Sequence, residues 1–177
     1  GEIRDQETAD LAIQASLTGH LVFSTLHTND ASGALPRLLD MGAEPYLLAS
    51  SITAVVAQRV VRKIHDKCRV SYDADPKVVE EIKDILGSLW PDGKAVKLYK
   101  GKGDAECNNS GYYGRVGIFE VLPVTEKISR LILEHKSAFE IEKQAREGGM
   151  ITLKQDGYSK VLEGTTTLEE VLRVAQE

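Results

Sequence analysis

No apolar run in this chain approaches the roughly 18 to 20 residues that a bilayer-spanning helix needs. No basic start with an apolar core opens it either; Glu2 and Asp5 stand where a secretory leader would be basic or apolar. Its two cysteines, Cys68 and Cys107, are too few for a disulfide scaffold. Positive charge is in deficit: 22 Lys and Arg against 27 Asp and Glu give a net charge of −5 and a pI near 5.5. That balance argues against nucleic acid as a partner, with Arg59, Arg62 and Lys63 as a local basic patch. The phosphate-loop pattern G-x-x-x-x-G-K-[ST] is missing from these residues. What is present is ordinary for a globular protein: 177 residues, 42% hydrophobic and 28% charged, enough for one domain or a domain with a small appendage. A cytoplasmic protein is the simplest reading. A chain that begins with Gly1 is expected to be a piece of a longer one.

Local signals divide the chain. Asp5 is placed to N-cap a helix over 6–17, accepting its free first-turn N–H groups, and Gly19 supplies a left-handed stop. Residues 20–25 (HLVFST) read as a short buried strand. Asn29 and Asp30 can cap the next helix, which runs towards Met41, with Pro36 kinking it or delaying its start. A helix over 47–57 and a strand over 58–64 (QRVVRKI) follow. This alternation predicts an α/β layer with parallel pairing. Residues 65–75 are polar and irregular, and Pro76 opens a helix to about Leu86. A turn at 90–94, a strand at 95–99, a glycine- and asparagine-rich loop at 100–110 and strands with a glycine bend at 111–121 complete this part. Four helices are expected at 125–134, 138–147, 152–162 and 167–176. Thr125 and Thr167 are N-caps, and Thr167 with Glu170 matches a capping box.

Residues 1–30 read GEIRDQETADLAIQASLTGHLVFSTLHTND. The stretch resembles two adjacent motifs of the secretion ATPases that drive type II secretion and type IV pilus assembly. These are the end of the Walker B motif (GEIRD) and the histidine box (TGHLVFSTLHTND). QRVVRKI, GYYGRVGIFEVL and GMITLKQDGYSKVLEGTTTLEEVLRV resemble the same family, so the likeness covers most of the chain and is weakest at about 72–103. It implies an α/β fold: the C-terminal part of a RecA-like ATPase domain at 1–64, a small degenerate cysteine module at 65–120 and a C-terminal helical bundle at 121–177. The phosphate loop and the Walker B strand are then expected upstream of Gly1, and the piece alone is expected to be inactive. ATP and Mg²⁺ are the implied cofactors of the full-length enzyme.

By this resemblance Glu2 is the Walker B glutamate, which helps to hold Mg²⁺ and the attacking water. His27 is the group that senses the γ-phosphate, directly or through Glu2. Thr25 and Thr28 stand with it just past a strand's C-terminal end, where α/β proteins place ligand-binding groups. Arg4 pairs with phosphate, with a neighbouring subunit or with a surface acid. His20 supports the box or touches an adjacent subunit. Without the resemblance Glu2 reads as a solvated terminal residue and the histidines as structural groups at the two ends of a strand.

The family usually carries two CxxC pairs in a zinc module. Here one cysteine of each pair is replaced, giving His65-Asp-Lys-Cys68 and Asp104-Ala-Glu-Cys107. The first reading is a vestigial module held by packing, with no stoichiometric zinc. Zinc bound by His65, Cys68, Asp104 and Cys107 is the alternative, because His and Asp also ligate it. A disulfide comes last in a cytosolic setting. The implied function is part of a homo-hexameric motor that hydrolyses ATP, acts beside an inner-membrane platform protein and sits at the inner membrane through its partners. A reading of another class is a non-enzymatic module that docks to that platform or to partner subunits.

Overall fold

The computed structural model describes residues 1–91 and 96–175. Residues 92–94 of the expected turn, Ala95 and Gln176 lie outside the described residues. The chain forms two compact units: Gly1–Ala57 with Glu120–Ile151, and Gln58–Phe119 with Thr152–Glu177. The three segments expected at 1–64, 65–120 and 121–177 run consecutively, whereas each unit here combines two stretches of chain. Two long strands, β1 (Ala54–Ile64) and β4 (Tyr112–Pro123), pair with each other, and each runs from one unit into the other. Among the described residues no helix is long and apolar enough to cross a membrane.

The first unit is mostly helical: α1 (Gln6–Leu17), α2 (Ala34–Asp40), α3 (Pro45–Ser51), α5 (Glu126–Leu133) and α6 (Ala138–Glu147). Its core gathers Ile13, Leu35, Leu48, Leu122, Ile128, Ile132 and Ile141. Fully burying each of the larger of these stabilises by about 1.5–3 kcal/mol. The helix ends follow local chemistry. Asp5 accepts from the Thr8 N–H at 2.9 Å, Thr125 caps α5, and Ser137 with Glu140 makes a complete capping box on α6. Pro36 falls in the first turn of α2, where its missing N–H costs nothing, so it delays the start of the helix.

Two expectations fail in this unit. Residues 20–24 form no strand; the one bridge nearby is the parallel pair Glu2–Thr25, and Leu21 and Phe23 are 83% and 82% exposed. A strand exists only through its neighbours, and among the described residues 20–24 have no ladder partner. The helix expected over 47–57 stops at Ser51, because Ile52 turns extended and the β-branched run from Val55 belongs to β1.

The second unit pairs β2 (Arg69–Tyr72) with β3 (Leu98–Gly101) antiparallel, from Arg69 opposite Gly101 to Tyr72 opposite Leu98. Around it lie α4 (Pro76–Leu86), α7 (Leu153–Leu162) and α8 (Leu168–Val174), with Ile82, Leu86, Leu98, Tyr158, Val161 and Val171 as core. The residues expected to form separate strands about a glycine bend make one continuous β4, with Gly114 at φ +77 inside it.

Half of the capping box expected on α8 forms. The Thr167 hydroxyl accepts from the Glu170 N–H, but the Glu170 carboxylate turns away to two arginines. Arg62 donates to it from its backbone N–H (2.9 Å) and its guanidinium (2.7 Å), and Arg173 donates through Nε (3.1 Å) and Nη2 (2.9 Å). Burial pushes the Glu170 carboxyl up, but the Arg173 and Arg62 hydrogen bonds outweigh it and hold the group at about 2. Arg62 also stacks on Tyr112, 4.1 Å from the ring centroid.

Candidate functional site

The Glu2–Thr25 bridge builds the first cluster. Ile3 N–H donates to Thr25 O at 2.9 Å and Thr25 N–H to Gly1 O at 3.3 Å. This pairing sets Glu2 beside Thr25, and the chain then carries His27 round to the same carboxylate. His27 Nε2 lies 2.8 Å from Glu2 Oε1, and Arg4 Nη2 donates to Oε2 at 2.6 Å. Oε1 is out of solvent and accepts no hydrogen bond of good geometry among the described residues, so its contact with His27 is one of charge and distance. The hydrogen bond from Arg4 does most to hold the Glu2 carboxyl below its usual range; burial opposes it, and the charges of Arg4 and His27 add to it. Glu2 is thus an ionised acid with one oxygen anchored and one turned to an imidazole that is itself 88% exposed. Such a group can hold a divalent cation or a water and report its arrival to His27.

The other expected residues are placed differently. His20 Nδ1 stands 3.0 Å from Thr18 Oγ1 and 3.2 Å from Ala15 O, at the C-terminal end of α1. There it helps to satisfy the carbonyls left free by the helix end. Thr28 Oγ1 donates to Asp30 O at 2.9 Å and shapes the turn after His27. Asp5 is committed to its cap. The sequence reading overlooked Glu120, whose Oε1 accepts the Ala31 N–H at 2.9 Å and ties down the segment after the histidine loop. It is buried between Ile118 and Leu122 on one face of β4. The period-two alternation of GIFEVL carried that signal, since an acid on the apolar face of a strand needs a specific partner.

The second cluster is in the other unit. His65 follows β1, a short 3₁₀ turn (Asp66–Cys68) brings Cys68, and β2 starts at Arg69. Opposite Gly101, the β2–β3 pairing continues into Lys102 N–H donating to Cys68 O at 3.0 Å, which brings the loop with Asp104 and Cys107 alongside. His65, Cys68, Asp104 and Cys107 each offer a donor atom, and these atoms all lie within 4.8 Å of one another. The cysteines are free thiols, both buried. Asp104 Oδ2 is 2.9 Å from His65 Nδ1, while its Oδ1 accepts the Cys107 N–H at 2.9 Å. That N–H does most to lower the Asp104 carboxyl; burial opposes it, and the nearby His65 adds to it.

Comparison with known proteins places the chain. Residues 1–173 match the Type II/IV secretion system protein family. The chain is 48% identical over 177 residues to the type II secretion system protein E of Pseudomonas aeruginosa, covering 100% of this chain and 34% of that protein. It is 46% identical over 172 residues to the type IV pilus assembly ATPase PilB of Thermus thermophilus, covering 97% of this chain and 19% of that protein. It therefore spans about a third or less of these relatives' length. Its α/β fold is similar to that of the Legionella pneumophila ATPase DotB (TM-score 0.62, 20% identity, 100% of this chain and 38% of that one). It is similar also to that of the pilus retraction motor PilT with bound ADP (TM-score 0.63, 24% identity, 100% and 38%). With a family match over nearly its whole length and close relatives among secretion and pilus proteins, this chain belongs to the Type II/IV secretion system protein family.

Proposed function

We propose that this chain is the C-terminal part of a RecA-like motor ATPase that powers type II secretion or type IV pilus assembly as a homo-hexamer. The observation that carries the reading is the Glu2–His27 contact of 2.8 Å, with Arg4 on the other carboxylate oxygen. A carboxylate held ionised beside an imidazole, with an oxygen that accepts no well-formed hydrogen bond among the described residues, suits a group that positions Mg²⁺ and water against a γ-phosphate. Thr25 fixes the backbone under Glu2, and Thr28 shapes the loop that presents His27. His20 supports the end of α1. ATP and Mg²⁺ are then the cofactors of the longer protein, whose place is the cytoplasmic face of the inner membrane beside a platform protein. Residues 1–64 form the end of the ATPase core, 65–120 the cysteine module and 121–177 the helical subdomain. The 177-residue piece, without a phosphate-loop pattern, does not hydrolyse ATP by itself.

The test uses the full-length protein. Glu2→Gln keeps ATP binding within about twofold while turnover falls about 100-fold, the scale of losing a positioned acid–base group. His27→Ala lowers turnover by about tenfold or more, and His20→Ala by less. Near-wild-type steady-state rates in both Glu2→Gln and His27→Ala would overturn the assignment and favour a docking module without catalysis.

A further inference from the structure

We propose that Glu120 is a positioning residue for ATP turnover: from β4 it fixes the far end of the histidine loop and so holds His27 against Glu2. The inference rests on the motor reading above and adds to it a residue outside the Walker B and histidine-box motifs. Glu120 stands in the buried row Ile118, Glu120, Leu122, while Phe119 and Val121 on the other face of the strand are exposed. A carboxyl group in such a row loses its water, and a specific hydrogen bond is needed to offset that. An apolar side chain would serve the packing as well or better. What the acid adds is the bond it makes. Its Oε1 accepts the Ala31 N–H at 2.9 Å, across 89 residues of chain.

That bond closes the histidine loop at its second end. The first end is Thr25, which is hydrogen-bonded to Gly1 and Ile3 on either side of Glu2. Leu26 to Asp30 lie between the two anchors. Thr28 Oγ1 donates to Asp30 O at 2.9 Å, and Asp30 Oδ1 accepts the Gly33 N–H at 2.6 Å, so the second half of the loop is a braced turn. Ala31 is fully buried, and its carbonyl accepts the Ala34 N–H at 3.3 Å where α2 begins.

His27 differs from this anchored end. Its ring is exposed and gains little hold from packing, so the backbone on its two sides sets its place 2.8 Å from Glu2 Oε1. Without Glu120 the Ala31 N–H would be buried with no acceptor, a cost that the segment escapes by moving towards water. A shift of about 1 Å would take His27 Nε2 out of hydrogen-bonding reach of Glu2. Misplacement on that scale can slow an enzyme by about 100-fold.

Steady-state ATP turnover of the full-length protein tests the proposal with substitutions that separate reach from charge. Glu120→Gln keeps an oxygen at the same reach and should keep kcat within about twofold. Glu120→Asp keeps the charge but falls one methylene short, and Glu120→Leu fills the apolar row without an acceptor. Both should lower kcat by about three- to tenfold while KM for ATP stays within about twofold. Neither loss should add to that of His27→Ala, because a residue acting through His27 then has nothing left to position. Glu140→Gln opens the α6 capping box in the same unit and controls for plain loss of stability; its kcat should match the wild type. Amide exchange should quicken at 28–33 in Glu120→Asp and Glu120→Leu, with α5 protected as before. An active Glu120→Asp beside an inactive Glu120→Gln would overturn the proposal, by making charge rather than reach decisive. Losses that multiply with His27→Ala would overturn it as well. If Glu120→Leu does not fold, the comparison of Asp with Gln decides alone. A slow His27→Ala enzyme with unimpaired Glu120→Asp and Glu120→Leu would overturn this inference and leave the motor reading standing. Wild-type turnover in His27→Ala would remove both.

Discussion

Replacing Glu170 by glutamine tests how the second unit is held. The Glu170 side chain is 2% exposed and accepts four hydrogen bonds, three from guanidinium groups and one from the Arg62 backbone. Its carboxyl titrates at about 2 in the folded chain against an ordinary value of 4.5. A group whose folded value is depressed stabilises the fold fully above its unfolded value and loses that contribution as pH falls through the folded one. The difference corresponds to about 3 kcal/mol at pH 7 as an upper limit, falling to about 1 kcal/mol at pH 3. Both arginines are about half exposed and regain water when the acid is lost, so the expected cost of Glu170→Gln at pH 7 is nearer 2 kcal/mol than the 3–5 of a fully buried pair. For a chain of this size that lowers Tm by about 4–8 °C. Urea titrations of the wild type and the variant at pH 7 and pH 3 supply the assay. The gap between them should shrink by more than half at the lower pH. A gap that is the same at both would show that the carboxylate's charge contributes nothing, and that the amide fails only by shape.

Two further predictions concern the same core. Tyr158 is fully buried, its hydroxyl has no partner among the described residues, and burial, with nearby Glu81 adding to it, pushes the phenol up to about 12. Tyr158→Phe should leave stability unchanged or raise it by about 1 kcal/mol, and a clear loss on denaturation would reveal a hydrogen bond that the hydroxyl makes. Gly157 lies inside α7 where an added Cβ would come 2.5 Å from Val171 Cγ1 on α8. Alanine gains about 1 kcal/mol in helix propensity and loses about 1–3 to overpacking, so Gly157→Ala should destabilise, and Val171→Ala should restore part of the loss in a double-mutant cycle.

These tests bear on how far the sequence could be read. Where structure is set within a few residues, the chemistry was visible. Asp5, Thr125 and Thr167 are caps because a short oxygen beside a helix start has N–H groups to satisfy, and Pro36 and Pro76 fit a first turn for lack of an N–H. Glu170 shows where that reasoning stops. Its spacing from Thr167 suits a capping box, but Arg62, 108 residues away, offers a charged donor that a backbone N–H cannot match. Residues 20–25 have the composition of a buried strand, yet composition names no neighbour, and without a ladder they remain exposed.

The two clusters divide in the same way. The Glu2–His27 contact rests on motifs that sit close in the chain and keep their familiar residues, so resemblance pointed to both. His65 and Asp104 are where the motif changed, and read singly each counts as a lost ligand. Their meaning depends on the β2–β3 register, which sets Arg69 opposite Gly101 and carries the two loops into contact. Only with that register is one substitution seen to answer the other, with His65 Nδ1 at 2.9 Å from Asp104 Oδ2.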